Sequence, residues 1–180
     1  MQIYLVRHPE PCDSSGLCYG RLDMAVEAQA VVSAAKSIAA QISNQILASA
    51  RVYSSPSSRC WELARQLAVP RPPTLAADLV EMSFGRWEGI AWNAVPREQI
   101  DAWVKDLWNY RPGGGESADM VAARWLRWLD QVQRIDGGTV VAVTHAGVIR
   151  VALARSGQSN DSASLDTPIP FGSVHRLDFP

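Results

Sequence analysis

The sequence predicts an α/β fold in three layers, α/β/α, with a mainly parallel central sheet. Three observations predict it. Two short apolar runs, Gln2–Val6 and Thr139–Thr144, each read as a buried strand and each give way to a histidine. Segments with helical composition or spacing alternate with such runs, the order that builds parallel strands joined by crossover helices. Finally, 180 residues with 47% apolar side chains suffice for a sizeable core, and one domain over residues 1–180 is expected.

The elements follow in order. Gln2–Val6 ends at Arg7-His8-Pro9, which places Arg7 and His8 at the strand's C-terminal end. After a loop from Pro9 to Asp23, the Ala-rich segment Met24–Ala50 has helical composition, broken near Ser43 or Ser49. Arg51–Tyr53 is a second short strand. Ser54-Ser55-Pro56 offers a hydroxyl cap and a first-turn proline, so Ser57–Ala68 is expected to be helical with Arg59 in its first turn. Pro70–Ala77 reads as a linker and Leu79–Gly89 as irregular, with a strand near Leu79-Val80. Ala94–Tyr110 is a Trp-bearing helix. Pro112-Gly113-Gly114-Gly115 breaks the chain before a helix over Glu116–Ile135, where Val121, Trp125, Trp128, Leu129 and Val132 share one face. Asp136-Gly137-Gly138 turns into Thr139–Thr144, a further helix follows His145, and Phe171–Phe179 alternates as a strand at a sheet edge.

Composition excludes several function classes. A formal net charge of −1 gives no bulk attraction for nucleic acid or anionic membrane, so an anion site must be a local cluster of cations. No apolar stretch reaches the roughly 18 residues of a membrane span, and the N-terminus has no signal-type pattern. A cytoplasmic address is therefore expected. Cys12, Cys18 and Cys60 are odd in number without a C-x-x-C pair, which suggests neither disulfides nor structural zinc. The three histidines form no H-x-x-x-H or H-E-x-x-H pattern, so neither metal nor cofactor is expected.

In open α/β sheets ligands bind beyond the carboxyl ends of strands, and Arg7, His8, Arg59 and His145 all closely follow expected strands. Taken singly, each more often satisfies a carbonyl or pairs with a carboxylate. Converging on one pocket with the N-terminus of the Ser57 helix, they suit a phosphate dianion, since guanidinium donates bidentately and free helical N–H groups favour negative charge.

Four motifs occur in order: Leu5-Val6-Arg7-His8, Ser54-Ser55-Pro56-x-x-Arg59, Glu81 ahead of Gly85-x-Trp87-Glu88-Gly89, and Val143-Thr144-His145-Ala146-Gly147. The ordered set, with Gly114-Gly115-Glu116-Ser117 and Phe171-Gly172-Ser173, resembles the histidine phosphatase superfamily, also called phosphoglycerate mutase-like, from Ile3 to about Leu177. The resemblance implies that His8 is the nucleophile of a phosphohistidine intermediate, that Arg7, Arg59 and His145 hold phosphoryl oxygens, and that Glu81 is the proton donor. Ser14 stands where many relatives carry an Asn that contacts phosphate, and Ala146 where other members often have Gly. Both are expected at the phosphate. Pro9 replaces the family's usual Gly, removing one N–H.

Thr144-His145-Ala146-Gly147-Val148-Ile149-Arg150 looks most like the α-ribazole phosphatase branch. The resemblance thus implies a metal-independent phosphomonoesterase for a small-molecule phosphate ester, with α-ribazole 5′-phosphate as one such substrate. Phosphoglycerate mutase-type transfer is the first alternative, disfavoured because the compact chain has little sequence for a lid. A non-catalytic phospho-ligand binding module is the second, disfavoured because such a site has no use for a proton donor. The tryptophans from Trp87 to Trp128 read mostly as core, with Trp92, Trp103 or Trp108 as the alternative lining of a substrate entrance. Oligomeric state is not written in the sequence.

Overall fold

The computed structural model describes residues 1–67, 69–135, 138–157 and 165–180. Along the chain run β1 (Gln2–Arg7), β2 (Leu17–Cys18), α1 (Ala28–Ile42), α2 (Asn44–Ser49), β3 (Arg51–Ser54), α3 (Ser58–Gln66), β4 (Thr74–Leu75), β5 (Ile90–Ala91), α4 (Arg97–Lys105), α5 (Ala118–Ile135), β6 (Thr139–Thr144), α6 (Ala146–Ser156) and β7 (Val174–Asp178). The main sheet has the order β4-β3-β6-β1-β7. Its first four strands are parallel, and β7 closes one edge antiparallel to β1.

Alternation along the strands splits the core in two. Ile3, Leu5, Val140 and Ala142 face α5 and α6, meeting Val121, Trp125 and Ile149. Tyr4, Val6, Val141 and Val143 face α1 and α3, meeting Val31, Ile38 and Leu63. Successive side chains of a strand point to opposite faces, so apolar runs buried on both sides require helices on both, and the expected three layers result.

The chain's breaks have local causes. α1 ends at Ser43, whose φ of +70° stops the helix, and the Ser43 hydroxyl then accepts the Ile46 N–H at 3.4 Å to start α2. α3 begins later than expected. Ser57 is its capping residue without a side-chain capping bond, and Pro56 precedes the helix. The linker expected over Pro70–Ala77 contains the edge strand β4, whereas Leu79, expected near a strand, ends a 3₁₀ turn. α4 is shorter than the expected Ala94–Tyr110 helix, because Pro96 delays its start and Asp106 leaves helical geometry. α5 starts after Ser117, whose hydroxyl accepts the Met120 N–H at 3.3 Å. Glu116 instead binds Arg21 at 2.9 Å and Arg124 at 3.2 Å. The β2–β5 ribbon, two residues per strand, has no counterpart among the sequence expectations. Ala68 of the expected helix and Asp136 and Gly137 of the expected turn lie outside the described residues.

One backbone crossing positions the segment after Glu81. The Gly113–Gly115 loop presses on Ser83–Trp87 so closely that a Cβ on Gly113 would lie 2.1 Å from the Phe84 carbonyl oxygen, and one on Gly115 would lie 2.1 Å from that of Ser83. The Glu116 N–H also donates to the Ser83 carbonyl at 2.8 Å. Gly16→Ala, at φ +69° with open space around it, is expected to cost about 1–2 kcal/mol from backbone strain alone. Gly113→Ala adds a backbone collision to a φ of +59° and should cost clearly more, about 3 kcal/mol or above. Equal shifts in urea midpoint for the two variants would show that the crossing is no constraint.

Candidate active site

Register brings the sequence-predicted residues to one level of the sheet. Arg7 pairs with Thr144, and Ser54 pairs with Val143, so His8, Ser55 and His145 leave three adjacent parallel strands side by side. The His8 N–H bonds the Thr144 carbonyl at 3.2 Å and the Ser55 N–H that of Val143 at 2.9 Å, extending the ladder one residue into the site.

His8 is 1% exposed. Its Nδ1 lies 2.6 Å from the Pro9 carbonyl oxygen, an acceptor only, so Nδ1 carries the proton and donates it. Nε2 is left with a lone pair, which accepts from Nε of Arg59 at 3.3 Å. Burial first, then the charge of Arg59 and more weakly that of Arg7, push the His8 pKa down to about 3, against the opposing pull of the Pro9 carbonyl. The imidazole is therefore a neutral base with a defined tautomer. The residue that departs from the family pattern supplies the acceptor that sets it.

The arginines differ. Arg59, fully buried, also donates to the carbonyls of Leu22 and Gly20, each at 2.7 Å, so three of its five N–H groups are used and it ties down the loop above. Arg7 donates from Nη1 to the Ile169 carbonyl and lies 3.7 Å over the Phe171 ring. Its Nε is buried and has no acceptor among the described residues. At the N-terminus of α3 one amide is already engaged: the Ser58 N–H that opens the helix is taken by Asp23 at 2.8 Å.

His145 is fully buried, with its ring centroid 5.1 Å from that of His8. Its Nε2 lies 2.8 Å from the Ser55 hydroxyl and 3.4 Å from the Cys60 thiol. Ser55 thus orients His145 instead of capping α3. Burial and then the neighbouring His8 and Arg59 hold the His145 pKa well below the usual imidazole range. Burial also raises that of Cys60, keeping its thiol protonated.

Glu81 lines the same cleft as Arg7 and is largely buried. Its Oε1 accepts the Met82 N–H at 2.8 Å and the Gly147 N–H at 3.1 Å, the latter also reaching Oε2 at 3.3 Å. Gly147 makes this approach possible, because a Cβ there would meet Oε1 at 2.4 Å. Above these groups opens a cavity of about 340 Å³, lined among others by Arg7, Ser14, Tyr19, Glu81, Ala146 and Phe171. Ser14 and Ala146 are therefore brought to the cleft, whereas His8, Arg59 and His145 are buried behind its lining, with the His8 ring 5.8 Å from that of Phe171 and the Arg59 guanidinium 5.3 Å from the Tyr19 ring. Trp92 lines the cleft and Trp103 an adjoining recess, so two of the three tryptophans named as alternatives stand at the site. Sequence reasoning missed Tyr19, Ser55 and Gly147. Only Gly147 stood in a position where its type, glycine two residues after a histidine that ends a strand, was a usable signal. Among the described residues no group of three His, Cys, Asp or Glu side chains stands close enough to hold a metal ion, and no helix is long and apolar enough to cross a membrane.

Two histidines that resist protonation when folded make stability pH-dependent. Unfolded, each takes a proton near 6.5, so below that pH the unfolded chain binds more protons and stability falls with acid. For His8 the loss runs from about 6.5 down to about 3. Each such histidine contributes up to ~1.4 kcal/mol per pH unit in the window. Urea midpoints should drop between about pH 6.5 and pH 5, and His8→Gln should flatten that slope. An unchanged slope would remove His8 from the account.

Known proteins resemble this chain in sequence and in fold. A model of the histidine phosphatase superfamily, branch 1, matches residues 3–180. The chain is 28% identical over 173 residues to the metal-independent phosphoserine phosphatase of Arabidopsis thaliana, covering 91% of this chain and 72% of that protein. It is 34% identical over 112 residues to a bifunctional protein of Mycobacterium tuberculosis, a match to 58% of this chain and only 30% of that protein. A phosphoglycerate mutase from Thermus thermophilus superposes with a TM-score of 0.77 at 26% identity, over 100% of this chain and 94% of the other. The α-ribazole phosphatase from Shigella flexneri shares the fold at a TM-score of 0.82 and 23% identity, over 100% and 91% of the two chains. With a family match across nearly its whole length, the chain belongs to the histidine phosphatase superfamily.

Proposed function

We propose that this protein hydrolyses small phosphomonoesters through a phosphohistidine on His8, without a metal. The observation that carries the reading is the state of His8: a neutral imidazole, Nδ1–H fixed on Pro9 and Nε2 lone pair free of a proton, set between Arg59 and Arg7.

In the first step Nε2 attacks phosphorus, the P–O bond to the alcohol breaks, and Glu81 gives its proton to the departing oxygen. The Arg59 N–H that rests on Nε2 transfers its hydrogen bond to a phosphoryl oxygen as phosphorus approaches. The unpartnered Nε of Arg7 gains an acceptor in the same way, and these cations stabilise the charge on the equatorial oxygens. In the second step water attacks phosphorus, the P–N bond breaks, and Glu81 recovers a proton from the water. Inorganic phosphate leaves and His8 is neutral again.

Two substrates are candidates. α-Ribazole 5′-phosphate is supported by the Thr144–Arg150 motif and by the aromatic surfaces of Phe84, Trp92 and Phe171 in the cleft. A phosphorylated hydroxy amino acid is supported by the name of the Arabidopsis thaliana relative and by a cation, Arg150, on the leaving-group side.

Wild-type protein in excess EDTA is expected to hydrolyse p-nitrophenyl phosphate at an undiminished rate, with acid-labile phosphate on His8 seen by mass spectrometry after brief mixing. His8→Ala should lose both turnover and label. Label on another residue, or turnover lost with EDTA, would overturn the mechanism.

Glu81→Gln is expected to lower kcat/KM by about 10²–10⁴-fold for alkyl phosphates and far less for p-nitrophenyl phosphate, whose leaving group needs no proton. Gly147→Ala, which pushes the carboxylate off its amide, should show the same selective loss in milder form. Equal losses on both substrate types would count against the acid role.

A further inference from the structure

Beyond Glu81 the cleft continues into a smaller recess of about 90 Å³, walled by Met82, Phe84, Trp103, Leu107 and Val151. Two charged residues line both spaces, Glu81 and Arg150. Arg150 stands on α6 one turn beyond Ala146 and is half-buried. Its Nε is tethered to the Thr167 carbonyl at 2.9 Å. Among the described residues no carboxylate forms an ion pair with it, since Glu81 is held by the amides of Met82 and Gly147. Burial, and more weakly the charge of Arg7, lower its hold on its proton, while Glu81 and Asp166 oppose that shift. A half-buried cation without a direct ion pair is incompletely compensated, and an anion brought from outside relieves it.

The phosphoryl end has its own cations in Arg7 and Arg59, and Arg7 does not line the recess. Arg150 lines the recess beside Glu81, the group proposed to protonate the departing alcohol. We infer that Arg150 reads a carboxylate carried by the leaving alcohol, so that the substrate is the phosphate ester of a hydroxy acid. The inference rests on the phosphatase reading and narrows it to the second of the two candidates, because α-ribazole has no carboxylate. With Nε anchored, the terminal nitrogens remain to bind a planar carboxylate side by side. One guanidinium matches one negative charge, and the nearby Glu81 and Glu10 oppose a dianion such as a second phosphate. The apolar walls strengthen the pair by keeping water from it.

The test is binding, which does not need turnover. Calorimetry compares 3-phosphonopropionate with propylphosphonate, a non-hydrolysable pair of equal length that differs only in the carboxylate, on wild type and Arg150→Gln. Wild type is expected to bind the carboxylated ligand at least about tenfold more tightly, and Arg150→Gln less than about threefold. Taking the ratio within each variant cancels any general loss of binding. A ratio near one in wild type, or a ratio unchanged by the substitution, overturns the inference. So does an equal weakening of both ligands, which would make Arg150 part of the phosphate cradle, or tighter binding of propane-1,3-diphosphonate than of the carboxylate. Failure of the phosphatase reading is seen separately, as no hydrolysis of p-nitrophenyl phosphate by wild type that still discriminates between the phosphonates.

Discussion

The site depends on the register of three parallel strands. With β1, β6 and β3 ending at one level, two imidazoles reach a centroid separation of 5.1 Å, and the hydroxyl of Ser55 falls against the second ring. A shift of one residue in either pairing would turn these side chains to the opposite face and into a helix-covered core. Burial of both faces holds β1 and β6 in the sheet, since apolar residues on each side of both strands pack under helices.

The electrostatics follow from that placement. His8, His145 and Arg59 lie under the cleft with almost no access to water, and Asp23, a carboxylate beside α3, is engaged with Ser58 at its N-terminus. Proton charge on the imidazoles is suppressed by burial and by the arginines, so the guanidiniums carry the positive potential and the imidazole keeps its lone pair. Neutral imidazoles and guanidinium cations coexist because one kind of group cannot lose its proton and the other cannot easily gain one.

Much of this was legible in the sequence, for physical reasons that differ by element. β1 and β6 are short, apolar and bounded by abrupt polarity changes, so their period and length identify them, and the residues that follow them are placed at the site without further information. α5 was equally clear from its one-sided apolar face. β4 was missed because a two-residue edge strand buries too little to leave a pattern, and the β2–β5 ribbon for the same reason. Ser54-Ser55-Pro56 reads as a hydroxyl cap with a first-turn proline, because hydroxyls before a proline have that meaning locally. The contact of Ser55 with His145 spans 90 residues and no local pattern encodes it. Likewise the sequence presented Pro9 as a lost N–H, while its carbonyl, which every residue has, became the partner of His8.

The protein's apolar interior is not continuous with all of its site. His8, Arg59 and His145 follow strands packed between the two cores, whereas part of the cleft and recess wall rests on a satellite cluster around Cys18, Trp87 and Val95, joined by Trp92 and Trp103. Phe84 touches both that cluster and the sheet's core and joins the two. In evolutionary terms the proposed function makes the two halves separable: under it, substitutions in the satellite would reshape which alcohol is accepted and leave untouched the register that sets His8 beside His145, so that drift in one small aromatic cluster would change the substrate and keep the chemistry.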